Sequence, residues 1–458
     1  MIKFGTSGFR GIIDKTFTKE AVQKIGFAFR AFVTKRGHRV KIIVGHDNRL
    51  KGRDFARDFC EAAYCDLIDI TFMEMSVTTP FIAFKARTFD YGIMITASHN
   101  PCEYNGFAVL LHGGRDADDG FWEQMAGLLD KTDTKITPFK KIPVKFCDDI
   151  SDYIDTIVGM VDVKTIKSAK PKILFDAMHG SGTQAIKQLF QKIGVQYNAI
   201  NDTVDTNFGG RIPAPYAYNL GDTASKVVAG KYDFGFALDG DGDRIAVIGA
   251  DGRFYDCNVI AAILVDMRRC GLVKTFLTSN LPLKVCKKYD LPVYETRVGF
   301  KFLGEVLQKP DVQIAAEQHG IALKELSLRK DAIGIVALVI NAVAKSGKSI
   351  GELVDEIAAR VNFRSRFMEY AYHFDGDTDT FIAGLLAKKP TFGGKVIGTD
   401  AFPDGYRARF ANDFWAAARV SGNENNLVRL CVEMPTEKDC DDVIKVFEQF
   451  YKLTRRQK

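Results

Sequence analysis

The sequence has no long hydrophobic run and no cysteine motif, and each absence excludes a class of protein. The longest apolar run, near Ile335–Ile340, ends at Asn341 and falls far short of the roughly 18 residues of a membrane span. The first residues lack the apolar core of a signal peptide. The nine cysteines are scattered, odd in number and without a C-x-x-C pair, so we expect reduced thiols in the cytoplasm and neither a disulfide framework nor a zinc site.

The chain also has little excess of charge. Its 63 basic and 57 acidic side chains give a net charge of +6 over 458 residues, and the one basic block is the tail Arg455–Lys458. Because nucleic-acid-binding proteins usually concentrate basic residues in a stripe, we expect no nucleic acid partner, and no membrane partner either. The length predicts about three folded domains, with two or four equally allowed.

Short apolar runs alternate with helical segments through most of the chain. The first helix is predicted over Thr18–Arg36, with Thr18 as its N-cap. Strands are predicted at Val40–Val44, Tyr91–Ile95, Lys172–Phe175, Phe234–Leu238, Thr275–Thr278, Pro292–Thr296 and Val312–Ala316. This alternation predicts α/β units with buried parallel strands.

The last hundred residues have a different pattern. Strands of an antiparallel sheet are predicted at Phe367–Phe374, Tyr406–Phe410, Trp415–Val420 and Val428–Glu433, followed by a helix over Thr436–Leu453. The predicted fold class is therefore α/β, with three α/β domains and a smaller C-terminal α+β domain. The predicted domains are 1–148, 149–252, 253–364 and 365–458.

The sharpest motif is the acidic loop Asp239–Arg244, directly after an apolar strand. Its three aspartates alternate with glycines, so their carboxylates face one side and converge where the backbone curls. Hard oxygen ligands of this kind suit Mg²⁺ or Ca²⁺, and a phosphate would supply a remaining ligand. An EF-hand loop does not fit, because Arg244 replaces its glycine and Ala250 its glutamate. A solvated turn is the alternative, and for the similar run Asp375–Thr380 a turn with a helix cap is the better interpretation.

A second motif, Thr96–Pro101, follows another buried strand and places Ser98 next to His99. Alone, this motif fits either a nucleophile turn or a simple turn. A hydrolase triad is only weakly supported, because the G-x-S-x-G pattern is absent. Beside a magnesium loop, a phosphate-carrying serine is the better interpretation, because a phosphoserine oxygen would complete the metal's ligands.

Three further segments give weaker signals. Arg419–Glu424, followed by Arg429, combines small residues with two arginines and predicts a phosphate cradle, with an ordinary turn as the alternative. Gly5–Gly11 has similar loop chemistry. Val298–Lys301 offers a lysine after a strand, although for this segment alone a solvated helix start is the better interpretation.

In this order the motifs resemble the α-D-phosphohexomutase family, which comprises the phosphoglucomutases and phosphomannomutases, over essentially the whole chain. The most specific part is Thr96–Pro101 with Tyr104-Asn105-Gly106, taken together with Asp239–Arg244. The resemblance implies four domains around a central cleft. It also implies Mg²⁺-dependent transfer of a phosphoryl group between O1 and O6 of a glucose or mannose phosphate, with a hexose 1,6-bisphosphate as activator. A sugar-phosphate-binding paralogue with weak mutase activity is the alternative, and a monomer and a homodimer both remain open.

The resemblance also implies a role for each candidate residue. Ser98 would carry the phosphoryl group, and it would hold Mg²⁺ together with Asp239, Asp241 and Asp243. The other catalytic candidates are Arg10, His99, Arg244 and Lys301. The substrate-binding candidates are Glu317, His319, Arg419, Ser421, Gly422, Asn423 and Arg429.

Three departures from the family pattern concern the groups that handle protons and sugar. Ala108 stands where the family usually has a lysine, so His99, His319 and Lys301 all remain candidates for the general base. The sugar loop Ala316–Gly320 departs from the usual Gly-Glu-x-Ser-Gly. Asn423 stands where the family usually has threonine.

Overall fold

The computed structural model describes residues 2–5, 8–130, 134–388, 390–420 and 426–451. Over these residues the chain forms four β-sheets, which follow one another along the sequence without mixing their strands. The first three sheets belong to α/β units and the fourth to an antiparallel α+β unit, which confirms the predicted fold class. The four units are called the first to the fourth below.

The first unit has a seven-stranded mixed sheet with buried residues on both faces. Its strands are β1 (Phe9–Ile12), β2 (Val40–His46), β3 (Ile68–Phe72), β4 (Tyr91–Ile95), β5 (Tyr104–Leu111), β6 (Arg115–Asp116) and β7 (Lys145–Phe146), in the order β1-β5-β4-β2-β3-β7 with β6 against β5. Its helices are α1 (Lys19–Arg36), α2 (Gly52–Ala63), α3 (Thr79–Lys85) and α4 (Asp119–Leu128). The Thr18 side chain caps α1 as predicted, since it accepts a hydrogen bond from the Ala21 N–H.

The second unit has a five-stranded sheet in the order β12-β11-β10-β8-β9. Its strands are β8 (Lys172–Asp176), β9 (Gln196–Ile200), β10 (Phe234–Leu238), β11 (Ile245–Gly249) and β12 (Phe254–Tyr255), and its helices are α5 (Ser151–Val158), α6 (Val163–Ala169), α7 (Thr183–Ile193) and α8 (Gly221–Ala229). Strands β10 and β11 form an antiparallel hairpin. The acidic loop is the turn of this hairpin.

The third unit has a four-stranded sheet in the order β14-β13-β15-β16. Its elements are α9 (Cys257–Arg268), β13 (Gly271–Thr275), α10 (Leu281–Lys288), β14 (Val293–Thr296), α11 (Phe300–Leu307), β15 (Val312–Glu317), β16 (Gly320–Leu323), α12 (Ala332–Ser346) and α13 (Ile350–Arg360). The predicted strand Thr275–Thr278 is wrong, because Thr278 closes a turn: its N–H donates to the Thr275 carbonyl and its hydroxyl accepts from the Thr275 N–H. The strand begins at Gly271, where a side chain would collide with the Asp311 carbonyl.

The fourth unit has five antiparallel strands in the order β17-β21-β20-β19-β18. Its elements are β17 (Arg366–His373), α14 (Thr378–Lys388), β18 (Gly398–Phe402), β19 (Gly405–Arg409), β20 (Trp415–Val420), β21 (Leu427–Met434) and α15 (Glu437–Tyr451). Strand β18 was missed from the sequence. The second acidic run caps α14, since the Asp377 carboxylate accepts from the Thr380 N–H at 2.8 Å.

The largest hydrophobic cluster extends from the first sheet through the second and third units, whereas the fourth unit has a core of its own. Helix α12 lies inside the large cluster, with every residue from Ala332 to Ala342 buried. Among the described residues no single helix is long and apolar enough to cross a membrane. Helices α12 and α13 reach that length and hydropathy only together, across a bend of 79°.

Candidate active site

Ser98 lies in the loop after β4, where the chain turns sharply. It is 2% exposed and has a φ of 50°, in the left-handed region that residues other than glycine seldom adopt. The buried Arg49 guanidinium donates to the carbonyl oxygens of Ser98 (2.6 Å) and Asn100 (2.5 Å). The Thr96 hydroxyl accepts from the Ser98 N–H at 2.8 Å and donates to Asp47 at 2.5 Å. The serine is therefore held in place by charged and polar groups beneath its loop.

The acidic loop of the second unit lies against this serine. The Ser98 hydroxyl donates to Asp239 Oδ2 at 2.9 Å. The other oxygen of Asp239 accepts from the N–H groups of Asp243 and Arg244, both at 3.0 Å. A side chain at Gly240 would come within 2.7 Å of the Ser98 carbonyl oxygen, so glycine is what permits the close approach of the two loops.

The three aspartates form a buried set of oxygen donors. One carboxylate oxygen from each of Asp239, Asp241 and Asp243 lies within 4.8 Å of the others. Asp241 Oδ1 and Asp243 Oδ1 are buried and accept no hydrogen bond from any described residue. Burial, and then repulsion by the other two aspartates, raises the pKa of Asp239 well above its usual range. A small divalent cation would relieve both the repulsion and the unpaired oxygens, so these residues fit Mg²⁺.

Two of the predicted arginines lie beside these groups. Arg10 donates to the Asn100 side chain at 2.5 Å. The Arg244 Nε lies 3.9 Å from Asp239 Oδ2 and 3.8 Å from Asp243 Oδ1, and its Nη1 donates to the Tyr216 hydroxyl at 2.8 Å. Their guanidinium groups give the site positive charge suited to a phosphate.

His99 is the predicted general base that the structure places nearest to the serine. Its Nδ1 lies 3.3 Å from the Ser98 hydroxyl. Burial, together with the charges of Arg244, Arg10 and Lys330, lowers the pKa of His99 well below its usual value. The imidazole is therefore neutral near pH 7.

Two buried cations of the third unit reach the acidic loop, and sequence analysis missed both. Lys330 Nζ lies 3.5 Å from Asp243 Oδ2 and 3.7 Å from Glu317 Oε1. Arg329 lies 3.3 Å from the same Asp243 oxygen and is ion-paired with Asp116 of the first unit. Burial lowers the pKa of Arg329 to about 9. The one sequence signal was a pair of basic residues directly before a long apolar helix.

Lys301 is the catalytic candidate that the structure does not bring to the serine. Its ammonium is ion-paired with Asp119 at 2.6 Å and lies over the Phe302 ring. Among the described residues, no hydrogen bond or ion pair joins Lys301 to Ser98 or to the three aspartates. Ala108 is buried on β5 opposite Met94, so that position supplies no proton-transfer group.

The sugar-loop candidates lie at the turn between β15 and β16. Glu317 ends β15 and faces Lys330. His319 Nε2 lies 3.1 Å from Glu369 of the fourth unit, and its ring packs edge-on against Tyr216 of the second unit, with centroids 5.2 Å apart. This loop therefore touches the second and fourth units.

The two candidate phosphate-binding arginines of the fourth unit are register partners on neighbouring strands, β20 and β21, so they share one face of the sheet. Arg419 donates to Asp404 at 2.5 Å, and Arg429 donates to Glu369 at 2.9 Å. The other candidates for this loop, Ser421, Gly422 and Asn423, lie outside the described residues.

Comparisons with known proteins agree with this architecture. The family models described as phosphoglucomutase/phosphomannomutase alpha/beta/alpha domains I, II and III match residues 1–135, 151–252 and 256–361. A phosphoglucomutase/phosphomannomutase of Thermococcus kodakarensis is 30% identical over 456 residues, 97% of each chain. A phosphoglucosamine mutase of Shewanella halifaxensis is 30% identical over 401 residues, covering 84% of this chain and 86% of its own.

A solved structure shares the fold. Parafusin, a phosphoglucomutase from Paramecium, superposes with a TM-score of 0.84 at 20% identity, covering 99% of this chain and 96% of its own. The family matches cover most of the sequence and include both the serine loop and the acidic loop. The chain therefore belongs to the phosphoglucomutase/phosphomannomutase family and is an intramolecular phosphotransferase.

Proposed function

We propose that this enzyme moves a phosphoryl group between O1 and O6 of a glucose or mannose phosphate, through a phosphoserine at Ser98 and a hexose 1,6-bisphosphate intermediate. One observation carries the proposal. The Ser98 hydroxyl is hydrogen-bonded to Asp239 at 2.9 Å and lies 3.3 Å from His99, in a site where buried carboxylates and arginines meet. These groups suit a serine that alternately accepts and releases a phosphoryl group.

The reaction has two balanced transfers. In the first, a sugar hydroxyl attacks the phosphorus of phosphoserine and gives its proton to a base, while the bond from phosphorus to Ser98 Oγ breaks and Ser98 Oγ takes up a proton. In the second, the bisphosphate has turned over and Ser98 Oγ attacks the phosphorus of the other phosphoryl group. The serine proton passes to a base, the bond from that phosphorus to the sugar oxygen breaks, and the sugar oxygen takes up a proton. His99 is the proposed base of the second transfer, because its Nδ1 lies 3.3 Å from the Ser98 hydroxyl.

Charge neutralisation accounts for most of the catalysis, because phosphoryl transfer requires little covalent assistance. Mg²⁺ held by Asp239, Asp241 and Asp243 would neutralise charge on the transferring phosphoryl group. Arg10 and Arg244 add cationic hydrogen-bond donors on the protein side of the same site. Lys330 lies between Asp243 and Glu317 and would add positive charge where a sugar hydroxyl and the phosphoryl group meet.

The substrate needs a second phosphate site, because each orientation leaves one phosphate away from Ser98. Arg419 and Arg429, with the loop 421–423, are the proposed distal site. The sugar itself would contact Glu317 and His319. Glu317 faces Lys330 on the side of the acidic loop, and His319 faces Glu369 of the fourth unit.

The nine free cysteines support a cytoplasmic setting for the enzyme.

A second substrate, glucosamine phosphate, is favoured by the 30% identity to a phosphoglucosamine mutase. A coupled assay with Mg²⁺ and bisphosphate, run on glucose, mannose and glucosamine 1-phosphates, tests both choices. We expect turnover of the glucose or mannose ester and none with Ser98→Ala. Turnover of glucosamine phosphate alone would correct the substrate. No turnover of any of the three would favour the sugar-phosphate-binding paralogue, which the altered sugar loop and Ala108 suggest.

A further inference from the structure

One carboxylate of the fourth unit, Glu369, joins the sugar loop to a distal-site arginine. Its Oε2 accepts from the Gln318 side chain at 2.5 Å and lies 3.1 Å from His319 Nε2, both in the sugar loop of the third unit. Its Oε1 accepts from Arg429 Nη1 at 2.9 Å. A single side chain therefore contacts the groups proposed to bind the sugar and the groups proposed to bind the distal phosphate.

Glu369 is held in this position as a charged group. Burial alone would raise its pKa, but His319 and Arg429 lower the pKa of Glu369 well below its usual range. Its side chain is 16% exposed, whereas those of His319 and Arg429 are 28% and 31% exposed. The carboxylate lies underneath, and the His319 ring and the Arg429 guanidinium lie nearer to the surface.

Two other sets of contacts between the third and fourth units involve no proposed substrate group among the described residues. Arg407 of β19 donates to both oxygens of Glu295 on β14, at 2.9 and 2.7 Å. The buried Glu433 accepts from Ser279 and from the Asn280 N–H. These contacts attach one unit to the other, but none of them involves His319 or Arg429. The distance between those two side chains therefore depends on groups beside them.

We propose that Glu369 is a positioning residue that fixes the spacing between the sugar loop and Arg429, and so sets the length of sugar phosphate that the enzyme accepts. The inference rests on the proposed function and adds a residue to it. The physical reason is that the hexose and the distal phosphate are parts of one covalent ligand of limited length, whereas their binding groups pack on separate hydrophobic cores. Without Glu369 each binding event must first bring these groups to the right separation, which weakens binding.

The test measures binding separately from turnover. Glucose 1,6-bisphosphate is titrated calorimetrically onto enzyme carrying Ser98→Ala, which holds the ligand without consuming it. We expect Glu369→Gln to weaken binding by at least about 10-fold, the cost of losing a charged hydrogen bond. Glu369→Asp keeps the charge but shortens the side chain by one methylene, and we expect it to weaken binding less, by roughly 3-fold or more.

The matched control is Glu295→Gln, which removes a carboxylate joining the same two units without touching a proposed substrate group. We expect it to bind the bisphosphate as the parent does. In the Ser98-containing enzyme, Glu369→Gln should raise KM for glucose 1-phosphate about 10-fold and change kcat less than 3-fold. Circular dichroism and the thermal midpoint show whether each variant is folded.

The decisive measurement is the energetic coupling between two substitutions, one on each side of Glu369. Glu369 contacts both His319 and Arg429, so we expect the effects of His319→Ala and Arg429→Lys on binding to be non-additive when Glu369 is present and additive in Glu369→Gln. Unchanged binding in folded Glu369→Gln and Glu369→Asp would overturn the proposal, as would equal weakening by Glu295→Gln. No bisphosphate binding by the Ser98→Ala parent would instead overturn the proposed function and, with it, this inference.

Discussion

Ser98 and Asp239, 141 positions apart in the sequence and in different units, are joined by a hydrogen bond of 2.9 Å from the serine hydroxyl to Asp239 Oδ2. This bond connects the serine to the turn that carries the proposed metal ligands. Because Asp239 also accepts two backbone N–H groups of its own loop, a change in that loop is transmitted directly to the serine. The first predictions concern this junction.

Asp241→Asn is expected to lower kcat at least ~100-fold and to raise the Mg²⁺ concentration needed for activity, since a preorganised electrostatic contact contributes about 3 kcal/mol. Kinetic Mg²⁺ titration measures both. The matched control is Asp377→Asn, which changes a helix cap outside the acidic loop. An Asp241→Asn enzyme with unchanged Mg²⁺ dependence would refute the assignment of the metal.

Asp241→Asn is also expected to change the thermal midpoint differently in EDTA and in Mg²⁺. Three buried carboxylates repel one another when no cation is bound, so removing one charge should leave the thermal midpoint unchanged or raise it. With saturating Mg²⁺, the parent should gain more stability than Asp241→Asn, because a ligand that binds the folded state stabilises it. Differential scanning calorimetry of both proteins in EDTA and in Mg²⁺ tests this reversal.

Lys330→Met is expected to lower kcat/KM by roughly 10- to 150-fold, because it removes the charge between Asp243 and Glu317 and leaves both carboxylates without that partner. Lys330→Arg should recover part of the loss. Lys348→Met, which removes a surface ion pair with Glu356, is the control and should leave kcat/KM unchanged. Wild-type kinetics in folded Lys330→Met would show that the lysine has no part in the reaction.

Arg419→Ala is expected to raise KM by roughly 10- to 150-fold for both the 1-phosphate and the 6-phosphate, through the loss of one charge-assisted contact. Arg419→Lys should rescue only partly, since lysine lacks the bidentate geometry of arginine. The control is Arg409→Ala on the adjacent strand β19, where the side chain is half exposed. If KM stayed the same for both esters, Arg419 would not belong to the distal phosphate site.

The pair formed by Glu295 and Arg407 predicts an acid-dependent loss of stability. Lys274 and Arg407 lower the pKa of Glu295 to about 2, despite its partial burial. A lowered carboxylate pKa stabilises the fold above about pH 4.5, and that contribution is lost as the pH falls towards 2. We expect Glu295→Gln to reduce the free energy of unfolding by about 1 kcal/mol at pH 6, after discounting for solvent screening, and by less at pH 3. Urea unfolding at both pH values measures the difference; an equal loss at both would contradict this assignment.

The sequence predicted those parts of the site that are local in the chain. Ser98 and His99 follow the apolar strand β4, and the three aspartates follow the apolar strand β10. Loops at the carboxyl ends of such strands are where α/β sheets place ligands. Lys330 and Arg329 could not be found in this way, because they reach Asp243 only after the third unit packs against the second. Lys301, in contrast, was a reasonable candidate as a lysine after a strand, but the folded chain pairs it with Asp119 of the first unit.

The fold was predicted with similar limits. Strands Tyr91–Ile95, Phe234–Leu238 and Trp415–Val420 match their predicted bounds. The first two contain no charged or strongly polar side chain, and Arg419 is the one charged residue of the third. The strand Gly271–Thr275 was misplaced, because its glycine and its buried Lys274 interrupt the apolar pattern. Lys274 tolerates burial because Glu295 and two backbone carbonyls satisfy it, which only the folded chain shows.

Phosphorylation of Ser98 is the central claim, and mass spectrometry measures it most directly. The purified enzyme is incubated with glucose 1,6-bisphosphate and Mg²⁺, and its intact mass is determined before and after. The account predicts a species about 80 Da heavier, the mass of one phosphoryl group, with fragmentation assigning it to Ser98 and its absence in Ser98→Ala. Phosphate found only on another residue, together with full mutase activity in Ser98→Ala, would contradict the account.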